Sequence, residues 1–390
     1  MNPQPTRGLS KQRLIGIDLF RGTAAFAVAI IHADAVMFYS GFPTDKLMTA
    51  ITQLSRFAVP FFLAASFYLM TSKLYTSESH FSITSNLKSK FTRLLVPYLC
   101  WSVIYIGLRV ILALSTSQGW EKIFQDPVRL IFLGGASFHL YFLPLLFAGS
   151  FLIIVAEYLA KKPIKIKTLV FLFVFSIILY ELLKVSGNNF QLGTYCFENG
   201  TSCSVSFQNI IKWVLPNGNN NQLLRLVLVE ISWLIQCLPY VFMGMLLHYP
   251  LIKINISKNN PINTILFLVI VLILSALGII NVFNILYFPQ ALYEVGIACI
   301  MLIWAISLSA TLKENRLVEN LGVCSFGIYL IHYLALIVYA KLAARLPTEF
   351  IGLIPALSML TLASLSFITS WIITSLLLRK KRISKLLFGI

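Results

Sequence analysis

Charge is what this sequence has least of, acid above all: 14 of its 390 residues are Asp or Glu, and all charged types together make up 12%. An average soluble domain is about a quarter charged, so the chain cannot supply the polar coat of a water-soluble core. Cofactor signatures are missing as well. No C-x-x-C pair occurs, and the five histidines are not spaced with acids as a metal cluster, so nothing supports a metal or another tightly bound cofactor. There is no Walker loop, no dinucleotide glycine fingerprint and no obvious internal repeat. Ten-residue alternating segments, the mark of a transmembrane barrel, are absent too.

What the chain has in abundance is apolar surface. It is 58% hydrophobic with a mean hydropathy of +0.83, and apolar runs recur at the length that crosses ~30 Å of hydrocarbon as a helix. Ten spans are expected, at roughly 14–38, 53–72, 94–114, 138–159, 168–183, 230–248, 262–280, 289–309, 321–340 and 351–378. The fold class is therefore all-α, a polytopic membrane protein read as one transmembrane domain over residues 1–390. The first run carries Asp18, Arg21 and His32 and lacks a small-residue cleavage site, so it reads as a span and not as a cleaved signal peptide.

The net charge of +17 is explained by topology. With the amino terminus cytoplasmic, 20 Lys and Arg fall in inside segments and six in outside segments. That bias places both termini in the cytoplasm of a bacterial inner membrane. It implies attraction to anionic lipid and no nucleic-acid partner. The longest outside loop, roughly 185–229, holds Cys196 and Cys203. An oxidising compartment permits a disulfide there, and a bridge and two free thiols both stay open.

Ionisable groups inside spans are costly and normally face a protein interior or a wet cavity. On a regular helix Arg21 lies about 60° from Asp18, and His32 returns to within about 20° of Arg21 while standing about 16 Å further outward. The three share one face. They suit the two ends of one extended molecule, or alternatively a packing salt bridge and an interhelical hydrogen bond. Asp34 lies about 200° around from His32 and makes a poor partner for it.

The stretch Arg13-Leu-Ile-Gly-Ile-Asp18-Leu-Phe-Arg21-Gly22-Thr-Ala followed by His32 resembles the opening helix of acyltransferase family 3, the membrane-bound acyltransferases that include O-antigen and peptidoglycan O-acetyltransferases. The resemblance continues in Ser55-Arg-Phe-Ala-Val-Pro60-Phe-Phe62, Lys90-Phe-Thr-Arg93-Leu-Leu-Val-Pro97-Tyr98 and His139-Leu-Tyr141-Phe-Leu143. It resumes in Pro239-Tyr-Val-Phe-Met-Gly244 and in Leu321-Gly-Val-Cys-Ser325-Phe-Gly327-Ile-Tyr329-Leu-Ile-His332, so it covers essentially the whole chain. Two positions depart from the family pattern: Phe67 follows Ser66 where a glycine is common, and Phe326 stands where a tyrosine often precedes the glycine.

The resemblance implies transfer of an acyl group, usually acetyl from acetyl-CoA, to a hydroxyl of a cell-envelope saccharide or its lipid-linked precursor, with acetyl-CoA as substrate and a separate envelope-biosynthesis partner allowed. His32 matches the family's catalytic histidine, acting as general base or as a transient acyl carrier. His332 and Tyr329 are candidate stabilisers of the reacting centre. Arg21 matches the donor side, with Asp18, Arg56, Lys90 and Arg93 as further donor-side candidates, because guanidinium groups bind phosphate bidentately. Lys88 is a further candidate of the same kind. His139 and Tyr141 are expected on the acceptor side. A secondary transporter for an envelope precursor or small metabolite is the alternative, although the halves show no inverted repeat. A membrane scaffold ranks last, because only the 185–229 loop is long enough to present a surface.

Overall fold

A computed structural model describes residues 13–76, 82–115, 119–186, 207–215, 221–250, 252, 261–345 and 354–390. The Cys196 and Cys203 pair lies outside these residues. Among them there is no strand, and ten helical spans are long and apolar enough to cross a membrane.

The helices are α1 (Ile15–Tyr39), α2 (Lys46–Ser55), α3 (Ala58–Thr76), α4 (Ile83–Lys90), α5 (Val96–Ser115), α6 (Pro127–Phe132), α7 (Phe142–Ser150) and α8 (Ile153–Ala160). They continue as α9 (Ile166–Val185), α10 (Gln208–Val214), α11 (Gln222–Leu247), α12 (Pro261–Val282), α13 (Gln290–Ser309), α14 (Arg316–Ala343), α15 (Pro355–Leu378) and α16 (Lys381–Phe388).

The ten spans coincide with the ten apolar runs, but four begin a turn or more before the expected runs do, the ninth of them at Arg316 under an Asn315 cap. The second begins at Lys46, because Asp45 caps it by accepting from Met48 N–H at 2.7 Å. It then breaks between Ser55 and Ala58, where Pro60 has no N–H to return to the Arg56 carbonyl. The third begins at Ile83 under a Ser82 cap and passes through a wide π turn at Phe91–Leu95. Pro97 withdraws the hydrogen bond that Arg93 would otherwise accept. The sixth begins at Gln222, capped by Asn221.

Lipid-facing positions are apolar, as Val103, Ile111, Phe171 and Ile265 show. Two ion pairs hold charges inside the bundle. Lys184 donates to Glu294 at 2.8 Å, and the Tyr180 hydroxyl donates to the same carboxylate at 2.6 Å. Arg225 of α11 pairs with Asp126, which also caps α6. Each pairing spares a charge an unmatched burial.

Candidate active site

Two helices with the same direction bring the first pair of histidines together. His32 stands 17 residues after Ile15, the start of α1, and His332 stands 16 after Arg316, the start of α14. The rings therefore reach one depth when the helices lie side by side. Small residues let them do so: Gly22 faces Leu321 and Gly322 faces Asp18, and a Cβ on either glycine would run into the side chain opposite.

His32 Nδ1 lies 2.5 Å from His332 Nε2, with the rings 14° from parallel. His332 Nδ1 in turn lies 3.1 Å from the Ile328 carbonyl oxygen. A carbonyl only accepts, so this network assigns the tautomers. His332 donates from Nδ1 to Ile328, and its Nε2 accepts the Nδ1–H of His32. The lone pair of His32 is then on Nε2, outside that hydrogen bond. This is the arrangement in which a second group holds a reactive imidazole in one tautomer.

His139 completes the cluster, its ring centroid 5.9 Å from that of His32 and 5.4 Å from that of His332. Its loop is held in place locally. Gly134, at φ +77°, lets the chain turn back after α6, and its N–H donates to the Tyr98 hydroxyl at 3.0 Å. Arg109 Nη1 donates to the Gly135 carbonyl at 3.1 Å, so this intramembrane cation positions the loop. Ser137 lies 3.0 Å from His139 Nδ1. The sequence places His139 near the outer interface, yet it is 1% exposed, because residues 133–139 fold back into the bundle. Phe138, Tyr105 and Tyr333 surround the three imidazoles.

Toward the other membrane face lies a cavity of about 440 Å³ lined by Arg21, Lys73, Lys90 and Arg93 and by no carboxylate side chain. Its deep end is apolar, with Phe62, Leu146 and Phe142, and it stops at Tyr329. No histidine lines it. Tyr329 stands between the cavity and the histidine cluster: its ring lies 5.7 Å from His139 and 6.0 Å from His332, and its hydroxyl donates to the His139 carbonyl. Arg21 and His32 remain on one unbroken helix, about 16 Å apart along its axis.

Of the sequence candidates, the structure joins Arg21, Lys90 and Arg93 in the cavity and His32, His139 and His332 in the cluster, with Tyr329 between. Other candidates lie elsewhere. Asp18 does not line the cavity: Arg13 Nε donates to its carboxylate at 2.5 Å and also contacts Glu319. Arg56, which caps the carbonyl end of α2, does not line it either and is near Asp34 and Tyr293. Asp34 faces Thr52 and Arg56 and not His32. Lys88 is exposed outside the cavity lining. Tyr141 is half-buried beside the cluster loop. Lys73 went unrecognised in the sequence, because at the polar end of an apolar run it has the appearance of an ordinary topology signal. Among the described residues no group of three His, Cys, Asp or Glu is arranged to hold a metal ion. In the cluster, a 2.5 Å N···N approach is shorter than the roughly 3.3 Å edge of two nitrogens on a tetrahedral zinc.

On the acyl-transfer reading proposed below, His332 would orient His32 through this hydrogen bond, which sets an expected result. His332→Phe should lower turnover about 10²-fold with donor affinity unchanged, and His332→Gln, whose amide oxygen can accept the His32 proton, should recover part of the loss. Single-turnover rates with parallel donor binding measure both. Equal loss in the two variants would mean that packing, and not orientation, is the role.

A search of solved structures finds no match. Among curated proteins, a serine/alanine racemase from Enterococcus gallinarum is 28% identical over 138 residues, which is 35% of this chain and 19% of that protein. The chain thus matches about a fifth of that relative's length. The family described as "Acyltransferase domain", acyltransferase family 3, matches residues 14–375. Those residues include both the cationic cavity's Arg21, Lys73, Lys90 and Arg93 and all three clustered histidines. With ten helices long and apolar enough to cross a membrane and this match over nearly its whole length, the chain belongs to acyltransferase family 3.

Proposed function

We propose that the protein transfers an acetyl group from acetyl-CoA to a hydroxyl of a cell-envelope saccharide or a lipid-linked glycan precursor, in a bacterial inner membrane with both termini cytoplasmic. The observation that carries this reading is the placement of Arg21 and His32 on one helix, the first in a cationic cavity and the second in a histidine cluster. Coenzyme A phosphates would meet Arg21, Lys73, Lys90 and Arg93, where the guanidiniums give paired charged hydrogen bonds. The apolar depth of the cavity suits the pantetheine arm and a short acyl group.

The thioester reaches the cluster when Tyr329 turns aside. His32 Nε2 then takes the proton of the acceptor hydroxyl as its oxygen bonds to the acyl carbon. The carbon–sulfur bond breaks, and the thiolate receives that proton to leave as coenzyme A. In the acyl-histidine route the same nitrogen first bonds to the acyl carbon and then passes the group to the hydroxyl. In both routes His32 keeps its Nδ1–H and donates it to His332 Nε2, a hydrogen bond that strengthens as positive charge develops on the His32 ring. The imidazole N–H of His139, and the Tyr329 hydroxyl once released, are the donors available to the oxyanion. We assign His139 and Tyr141 to the acceptor side, as the family resemblance implies. Untargeted comparison of envelope glycans from cells with and without the gene tests the reading: loss of one acetyl mass from a defined glycan is expected, and an unchanged glycome with intact protein would sink it.

The orientation has its own check. A membrane-impermeant thiol reagent should label a single cysteine at position 196 in intact spheroplasts, from the 20-to-6 distribution of basic residues. Labelling only after the membrane is opened would reverse the topology.

A further inference from the structure

The helix α16 follows the tenth span and lies beyond residues 14–375, the part matched by the family. One side of it is seated on the bundle. Phe388 is 2% exposed and packs near Gly327, where a Cβ would touch its ring. Trp101 Nε1 donates to the Leu387 carbonyl at 3.0 Å. Gly389, at φ +69°, lets the chain turn directly against the backbone of Arg93. Phe388 and Ile390 thereby become part of the cationic cavity's wall.

The other side is a run of charge of one sign. Arg379, Lys380, Lys381, Arg382 and Lys385 are all exposed. No acid occurs between residues 350 and 390, and none of the five forms an ion pair among the described residues. A short amphipathic helix with its apolar side on protein and its cations level with the end of a span sits among lipid headgroups. Juxtamembrane cations in that position attract anionic phospholipid.

We propose that the cationic side of α16 is a binding surface for anionic phospholipid headgroups, and that lipid bound there holds the helix in its seat against the donor cavity. The surface stands on α16 alone. The link to the donor rests on the reading of the cavity as the coenzyme A site. Lipid binding favours the seated helix, the seated helix fixes the wall formed by Phe388 and the backbone of Arg93, and by linkage donor binding favours the same state.

The test uses the full chain in nanodiscs of phosphatidylcholine alone and of phosphatidylcholine with about 30% phosphatidylglycerol, where such a cluster gains most. Backbone amides of residues 384–388 should exchange about tenfold more slowly in the anionic nanodiscs, as expected for a helix held by several headgroup contacts. The triple variant Lys381→Gln, Arg382→Gln, Lys385→Gln should lose that difference while exchange in α1 stays unchanged. Equal exchange of the wild type in both membranes, or a triple variant that keeps the full difference, would overturn the lipid surface. In anionic nanodiscs at one ionic strength, Phe388→Ala should bind coenzyme A about tenfold more weakly than wild type; the negative surface potential of the lipid acts on both alike. Equal affinity would overturn the link from helix to cavity. If the amides show lipid dependence but coenzyme A binds neither protein, the donor reading fails and the lipid surface stands.

Discussion

His32→Asn is expected to lower acyl transfer at least ~100-fold while leaving the protein folded, inserted and able to bind acetyl-CoA. The argument is geometric. An asparagine amide can still donate to His332 Nε2, the atom that lies 2.5 Å from His32 Nδ1, so the contact between α1 and α14 survives. What disappears is the ring nitrogen on the far side, the one atom of His32 free to take a proton or carry an acyl group. A histidine that served packing alone would show the reverse order of damage, with loss of fold or helix association and little specific loss of chemistry. Equal amounts of folded wild type and variant, assayed for transfer of labelled acetyl with donor binding in parallel, separate the two. Near-wild-type turnover by the variant would overturn the mechanism even in a working acyltransferase. An acyl group trapped on the wild-type protein in the absence of acceptor, and missing from His32→Asn, would select the acyl-histidine route.

Arg21→Ala should weaken acetyl-CoA binding by about 10- to 100-fold, the size expected for losing one charge-assisted phosphate contact worth ~1.5–3 kcal/mol. Binding is not abolished, because Lys73, Lys90 and Arg93 remain in the cavity wall. Arg21→Lys should recover only part of the loss, since charge returns without the planar fork. The chemical step should change little once donor is saturating, because Arg21 lies about three helical turns from His32. Calorimetric titration of the folded variants with acetyl-CoA measures this. Unchanged affinity in Arg21→Ala would remove the arginine from the donor site. A fall in saturated turnover with unchanged affinity would place it in the chemistry instead.

The sequence by itself determined the spans, because hydrocarbon thickness leaves a helix of about twenty apolar residues as the economical crossing. It also placed Arg21 and His32 on one face of α1, since a regular helix fixes angle and rise between residues of the same element. Where polar residues were built into a span, the sequence misjudged its start: Asp45, Ser82, Asn221 and Asn315 cap first turns that lie ahead of the apolar runs, and capping stabilises helix without hydropathy. Cross-helix chemistry was decided only by tertiary structure. Hydropathy gives no register between α1 and α14, so the hydrogen bond from His32 to His332, and with it the tautomer that exposes Nε2, depends on Gly22 and Gly322 letting the helices meet. The burial of His139 depends on a turn at Gly134 and on Arg109 donating into the loop, neither of which leaves a periodic signal. Lys73 and Arg56 show the same limit from opposite sides. Both are cations near a span end or bend, and only the packing of α3 against α1 puts one in the cavity wall and leaves the other outside it.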